Sequence, residues 1–107
     1  AEPVLRQVLL LDETNAGALF GLAQIAAHRE DLARALELYG KAAANAKDQA
    51  WIAGWCLVQR GNIFMHQGEY ARARAEWAQV SELRGDLRGA AEAAAKALAG
   101  TRTPPVP

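Results

Sequence analysis

Residues 19–42 read LFGLAQIAAHREDLARALELYGKA, and residues 57–80, 38 positions later, read LVQRGNIFMHQGEYARARAEWAQV. The two stretches align without a gap, and small and large residues fall at the same positions. The matched pairs are Ala23 with Gly61, Ala35 with Ala73, Tyr39 with Trp77, and His28 with His66. Repetition at a period in this range is typical of stacked helical hairpins, because each hairpin completes its core against its neighbours.

The composition favours the same class of fold. The chain has 107 residues, which is one domain or one part of a larger protein. Its alanine and arginine residues are good helix formers, and strand-forming residues never alternate over a useful length. The formal net charge is zero, so the basic excess typical of nucleic-acid-binding proteins is missing. We predict an all-α protein that does not bind nucleic acid.

The only cysteine, Cys56, has no partner for an internal disulfide. No apolar run reaches the roughly 20 residues of a membrane-spanning helix, so we expect no membrane insertion. The sequence enters a helical pattern directly after Ala1, and we interpret it as a fragment of a larger protein. A signal sequence of the parent would lie outside such a fragment, so cytoplasmic and periplasmic locations both stay open.

Hydrophobic spacing predicts six helical segments, at residues 3–11, 16–28, 32–46, 48–67, 70–83 and 86–99. Thr14 or Asn15 is expected to cap the second segment, and Asp86 the sixth. Gly68 suits the left-handed backbone that often ends a helix. The remaining residues, 101–107, include three prolines and are expected to form a disordered tail.

The fourth segment is expected to be longer than its counterpart in the first hairpin. Four extra residues near 47–50 are about one helical turn, so a longer helix absorbs them without changing its buried face. Trp51 and Trp55 stand on this extra turn, four residues apart. Trp51 either packs on the preceding hairpin near Ala43 and Ala46 or belongs to an exposed aromatic patch, and the same alternatives stay open for Trp55.

This pattern resembles the tetratricopeptide repeat (TPR), a helix–turn–helix unit of 34 residues. Gly61, Phe64, Ala73 and Trp77 match its signature in the second unit, while Arg60 stands where a leucine is expected. The resemblance implies a right-handed α-solenoid with a C-terminal capping helix in a single domain, residues 1–100. Its parts are the second helix of a truncated repeat (3–14), a repeat (15–47), a repeat with a one-turn insertion (48–85) and the capping helix (86–100). The arrangement also resembles C-terminal repeat regions of larger bacterial proteins, which implies that this chain is a C-terminal fragment of such a protein.

In TPR proteins the first helix of each pair lines a concave groove, and the resemblance implies such a groove here. Carried over by position, the groove residues are Phe20, Gln24, His28, Trp55, Val58, Asn62, Met65 and His66. The amides of Gln24 and Asn62 suit an extended peptide backbone, since an amide both donates and accepts hydrogen bonds. The apolar members alternatively pack against neighbouring repeats. Phe20 and Val58 stand where a carboxylate clamp would need lysine, so no such clamp is expected.

The sequence shows no arrangement typical of catalysis or metal binding. No Ser–His–Asp set, phosphate-binding glycine loop or HExxH motif is present, and no catalytic residue or cofactor is predicted. Equivalent positions in adjacent repeats would hold His28 and His66 roughly 10 Å apart, too far to share one metal ion. Cys56 lies in a strongly helical segment and is expected to be a buried, unreactive thiol.

The sequence therefore predicts a non-catalytic scaffold that binds a protein or peptide in its groove. The alternative is a structural spacer or docking domain of a larger multidomain enzyme, with no ligand of its own. A third hypothesis is self-association through the apolar face of the truncated N-terminal helix, residues 4–11.

Overall fold

The protein is described by a computed structural model that covers residues 2–12 and 14–100. Those residues form six helices and no strand, which confirms the all-α class. The helices are α1 (Glu2–Leu11), α2 (Ala16–His28), α3 (Leu32–Ala44), α4 (Ala50–His66), α5 (Tyr70–Val80) and α6 (Ala90–Gly100). The predicted tail, 101–107, lies outside the described residues, as do Ala1 and Glu13.

Consecutive helices pack side by side, and the contacts between α4 and α5 show that these two helices run antiparallel. Between α4 and α5, Val58 pairs with Trp77 and Arg60 with Glu76, so residue numbers rise on one helix as they fall on the other. Each helix contacts the next in the chain, and α4 also contacts α2 and α6. The result is an elongated molecule of 50 × 31 × 17 Å in which α4 lies between α2 and α6.

Local sequence signals set the starts of α2 and α3 and the turns within the two hairpins. Asn15, rather than Thr14, caps α2, and its side-chain oxygen accepts the backbone N–H of Ala18 at 2.8 Å. The α2–α3 turn passes through Glu30 at φ 62°, and the α4–α5 turn passes through Gly68 at φ 78°. The predicted left-handed conformation of Gly68 is confirmed, and the first hairpin adopts the same turn with a non-glycine residue.

Small residues at the helix crossings make room for large ones. Ala23, Ala35 and Ala73 are all fully buried. At Gly61, an added Cβ would lie 2.2 Å from Nε1 of Trp77, so the indole ring occupies the space that a side chain would need. The ring also donates a hydrogen bond from Nε1 to the Val58 carbonyl at 3.1 Å. The α4–α5 hairpin therefore depends on a glycine and a tryptophan fitted to each other.

The connections between α3 and α4 and between α5 and α6 differ from the sequence prediction. Helix α4 begins at Ala50, after Lys47 with φ 53°, so part of the insertion is a turn. Helix α6 begins at Ala90 rather than at residue 86. The predicted cap at Asp86 is wrong, because Arg88 and Gly89 have φ of 51° and 90° and cannot continue a right-handed helix.

Two hydrophobic clusters share helix α4. The first joins α2 and α3 to Ile52, Cys56 and Ile63, and α1 packs on it through Leu5 and Leu9. The second joins Val58 and Phe64 of α4 to buried residues of α5, α6 and the loop between them. The α2–α3 side of the molecule is thereby coupled to the α5–α6 side through opposite faces of one helix.

Candidate functional site

Four of the predicted groove residues are exposed on two neighbouring helices. Gln24 and His28 lie one turn apart on α2, and Asn62 and His66 lie one turn apart on α4. Helices α2 and α4 contact each other, and both also contact α3. We call these four residues the polar face. All four are available to a partner in solution.

The apolar members of the predicted groove are less accessible. Phe20, Trp55 and Met65 are half-buried. Val58 is only 3% exposed and packs in the second hydrophobic cluster. Its side chain has almost no surface for a ligand, so the structure places it in the core rather than with the other candidate contacts.

An aromatic cluster lies where α2 meets the first turn of α4. The Phe20 ring stands 5.8 Å from Tyr39 and 6.0 Å from Trp51, and the Trp51 contact is edge to face. Trp51 packs against the first hydrophobic cluster. This contact agrees with the interpretation of Trp51 as a packing residue on the preceding hairpin, and Phe20 is its ring partner there.

Arg88 completes this cluster from the α5–α6 loop. Its guanidinium carbon lies 4.3 Å from the centre of the Trp51 ring, a cation–π contact. Its backbone carbonyl accepts a hydrogen bond from Trp55 Nε1 at 3.1 Å, and its N–H donates to the Asp86 carboxylate at 2.9 Å. These contacts hold Arg88 at φ 51°, a conformation that costs of order 1–3 kcal/mol in a non-glycine residue.

We call Phe20, Trp51, Trp55 and Arg88 the aromatic–arginine cluster. A concavity of about 340 Å³ adjoins it. The concavity is lined by Asp48, Gln49, Ala50, Trp51, Arg84, Gly85, Asp86 and Arg88. The cluster links the predicted contacts Phe20 and Trp55 through two residues that were not predicted as contacts. Two features of the sequence could have indicated this cluster. They are the four-residue spacing of Trp51 and Trp55, and the glycines at positions 85 and 89 on either side of Arg88.

Arg60, which departs from the repeat pattern, ties three helices together. Its Nε donates to the Glu76 carboxylate on α5, and its Nη1 donates to the Leu36 carbonyl on α3 at 2.8 Å. The side chains of Arg60 and Glu76 are only 26% and 12% exposed. The ion pair and the hydrogen bond to Leu36 therefore fix α4 between α3 and α5.

Cys56 is fully buried, and burial raises the pKa of its thiol to about 12. Because the thiolate is the nucleophile, only about one thiol in 10,000 is ionised at pH 8. We expect Ellman's reagent to leave the native protein essentially unmodified at that pH and to titrate one thiol after denaturation with guanidinium chloride. Stoichiometric release of the chromophore from native protein within seconds would contradict this expectation.

Other kinds of site have little support in the part of the chain that the structure describes. His28 and His66 are exposed, and no three His, Cys, Asp or Glu side chains among those residues are grouped to hold a metal ion. None of the six helices is long and apolar enough to cross a membrane.

Comparisons with protein families, curated proteins and solved structures find no match to this chain.

Proposed function

We propose that the protein is a non-catalytic scaffold that binds a protein or peptide on the side formed by α2 and α4. In this proposal, α2–α3 and α4–α5 are two TPR-like repeats of a right-handed α-solenoid, α1 is the second helix of a preceding repeat, and α6 is the capping helix. The duplicated sequence pattern and the duplicated packing support it together.

Equivalent positions in the two hairpins are buried to the same extent. Ala35 and Ala73 are both fully buried, and Tyr39 and Trp77 are 2% and 3% exposed. Helix α4, the first helix of the second hairpin, also contacts α2, the first helix of the preceding hairpin, and α6. A stack of hairpins requires this arrangement, because each hairpin buries its second face against the next.

The observation that carries the binding proposal is the exposure of Gln24 and Asn62 at equivalent repeat positions on α2 and α4, which contact each other. An amide side chain can donate to and accept from the backbone of an extended peptide. The half-buried Met65 and the aromatic–arginine cluster supply apolar contact area beside them. Rigid helices hold these groups in place before binding, which lowers the ordering entropy that binding costs.

Selection from a random peptide library tests this proposal. We expect enriched peptides to share a motif and to bind Asn62→Ala at least about tenfold more weakly, since one amide contact to a peptide backbone is lost. Phe20→Leu should weaken binding without unfolding the protein, because it keeps much of the apolar bulk. Gln7→Ala is the matched control, since it removes an exposed amide from α1. Binding by Asn62→Ala and Phe20→Leu at the strength of the control would refute the proposed surface.

The alternative role, a spacer or docking domain of a larger enzyme, is favoured by the outer side of α1. Val4, Leu10 and Leu11 are 62%, 85% and 92% exposed, an apolar surface that suits contact with another domain or a second copy. Leu5 and Leu9 instead pack inward, so charged substitutions there would unfold the protein rather than test association. A folded protein that enriches no peptide motif would support this alternative.

A further inference from the structure

Helices α2 and α4 carry much less charge than the second helix of each hairpin. The 13 residues of α2 include no Asp, Glu, Lys or Arg, and the 17 residues of α4 include only Arg60. Helices α3 and α5, with 13 and 11 residues, carry three charged residues each, as is usual for helices with a solvated side. Charged residues make up 22% of the chain, so their scarcity on α2 and α4 marks these two helices out.

The accessible side chains of α2 and α4 lie along one stripe of each helix, because they recur at helical spacing. On α2 they are Phe20, Gln24 and His28, and on α4 they are Trp51, Trp55, Asn62, Met65 and His66. The edge-to-face contact between Phe20 and Trp51 joins the two stripes. We call these eight residues the α2–α4 face. None of them is buried, and its four apolar side chains each keep part of their surface exposed.

The charge of Arg60 is directed to α3 and α5 rather than to this face. Its Nε donates to the Glu76 carboxylate on α5, and its Nη1 donates to the Leu36 carbonyl on α3. A Cβ added at Gly40 of α3 would lie 2.9 Å from Nη1, so the guanidinium lies against the α3 backbone. Arg60 is therefore matched by Glu76 within the protein.

Other charged residues near the α2–α4 face lie beyond its ends or on α6. The concavity beside Trp51 is lined by two carboxylates and two guanidinium groups, those of Asp48, Asp86, Arg84 and Arg88. The turns after α2 and α4 contain Arg29, Glu30, Asp31 and Glu69. Arg29 pairs with Glu2, Glu69 pairs with Arg72, and Asp31 caps α3. Helix α6, which contacts α4, adds one charge of each sign, at Glu92 and Lys96.

A charged group of a ligand on the α2–α4 face would lose water without gaining a partner of opposite charge, which costs free energy. Uncharged groups do better there. The amides of Gln24 and Asn62 can bond a peptide backbone, and the rings of Phe20 and Trp55 and the thioether of Met65 can contact apolar side chains.

We propose that the α2–α4 face binds a segment of a partner protein that contains no Asp, Glu, Lys or Arg and at least one aromatic or aliphatic side chain. This inference rests on the proposed function and names the class of peptide. The charge complementarity that carries it is that of an uncharged surface with an uncharged segment.

Helix geometry sets the length of this segment. The part of α4 from Trp51 to His66 is about 22 Å long, at about 1.5 Å per residue. A peptide extended along it, at about 3.3 Å per residue, covers that distance with about seven residues. From Trp55 to Asn62 the distance is about 10 Å, or about three peptide residues. The apolar side chain at Trp55 and the peptide group at Asn62 are therefore about three residues apart in the ligand.

The test uses a displayed library of seven randomised residues at pH 8, where free histidine is uncharged. We expect Asp, Glu, Lys and Arg to be depleted at least about fivefold in the enriched peptides, because their charges find no partner. A synthetic copy of an enriched peptide is then measured by fluorescence anisotropy. Its affinity should change by less than about twofold between about 50 and 500 mM NaCl, since salt screens interactions between charges.

The variant Gln24→Lys places one cation on the α2–α4 face. It should bind the uncharged peptide at least about tenfold more weakly and, in a new selection, enrich peptides with Asp or Glu whose binding weakens with salt. Gln7→Lys is the matched control, since it makes the same change at an exposed glutamine of α1. It should keep the selectivity of the unmodified protein. Circular dichroism establishes that each variant is folded.

The possible failures are distinguishable. Enrichment of charged peptides, or an affinity that falls about tenfold or more with salt, would overturn this inference. Peptide binding itself would stand in that case if Asn62→Ala still weakened it. Equal selectivity of Gln24→Lys and Gln7→Lys would show that the peptides bind elsewhere, which also overturns the inference. Enrichment of no motif at all would defeat the proposed function and this inference together.

Discussion

Replacing Trp77 with alanine is expected to lower the free energy of unfolding by about 3–5 kcal/mol, the usual range for removing a buried aromatic side chain. Trp77 is 3% exposed, fills the space beside Gly61 and bonds the Val58 carbonyl. Its loss leaves a cavity in the second hydrophobic cluster and removes the side-chain hydrogen bond between α5 and α4. Urea unfolding followed by circular dichroism measures the change. Tyr70→Ala is the control for an aromatic residue that is 46% exposed, and its effect should stay near about 0.5 kcal/mol.

The fit of Trp77 to Gly61 makes a sharper prediction, because the two residues should be coupled. Gly61→Ala should destabilise the protein on its own, since the new Cβ would meet the indole ring. With leucine at position 77 the ring is absent, and the added methyl group then occupies part of the vacated space. The double variant Gly61→Ala/Trp77→Leu should therefore lose about 0.5–3 kcal/mol less than the sum of the single variants. Strictly additive effects would show that the crossing does not depend on this pair.

The hairpin cores are the part of the structure that the sequence predicts best. Small residues such as Ala35 and Ala73, and large ones such as Tyr39 and Trp77, recur in register, and all four are buried. Local signals also predicted that α2 is capped at Thr14 or Asn15 and that Gly68 takes a left-handed backbone. A cap and a left-handed turn depend on only a few neighbouring residues, and the structure has the cap at Asn15 and Gly68 at φ 78°.

The candidate site was predicted less well, because its geometry depends on contacts distant in sequence. Arg88 adopts a left-handed backbone that its own sequence does not favour, and its carbonyl and guanidinium contact Trp55 and Trp51, more than 30 residues away. The hydrophobic periodicity of the sequence instead predicted that α6 begins at residue 86, whereas it begins at Ala90. Val58 was placed on the groove by its position in the repeat, whereas the side chains of α5, α6 and their connecting loop bury it.

Replacing Arg60 with leucine is expected to destabilise the protein by about 3 kcal/mol, although leucine is the residue that the repeat pattern favours at this position. The change leaves the Glu76 carboxylate, whose side chain is only 12% exposed, without its ion-pair partner. It also removes the hydrogen bond to the Leu36 carbonyl and the cation–π contact with Phe64. Urea unfolding measures the loss. Arg72→Leu is a matched control, since Arg72 also lies over the Phe64 ring but is 70% exposed in its pair with Glu69.

The double variant Arg60→Leu/Glu76→Leu should recover most of this stability, because it installs the residues that Leu22 and Leu38 provide in the first hairpin. Replacing a partly buried ion pair by apolar residues is often neutral or stabilising, whereas removing one partner is costly. Recovery to within about 1 kcal/mol of the unmodified protein would show that the two hairpins accept the same apolar solution. A double variant as unstable as Arg60→Leu alone would instead mean that the second hairpin needs the hydrogen bond from Arg60 to the Leu36 carbonyl.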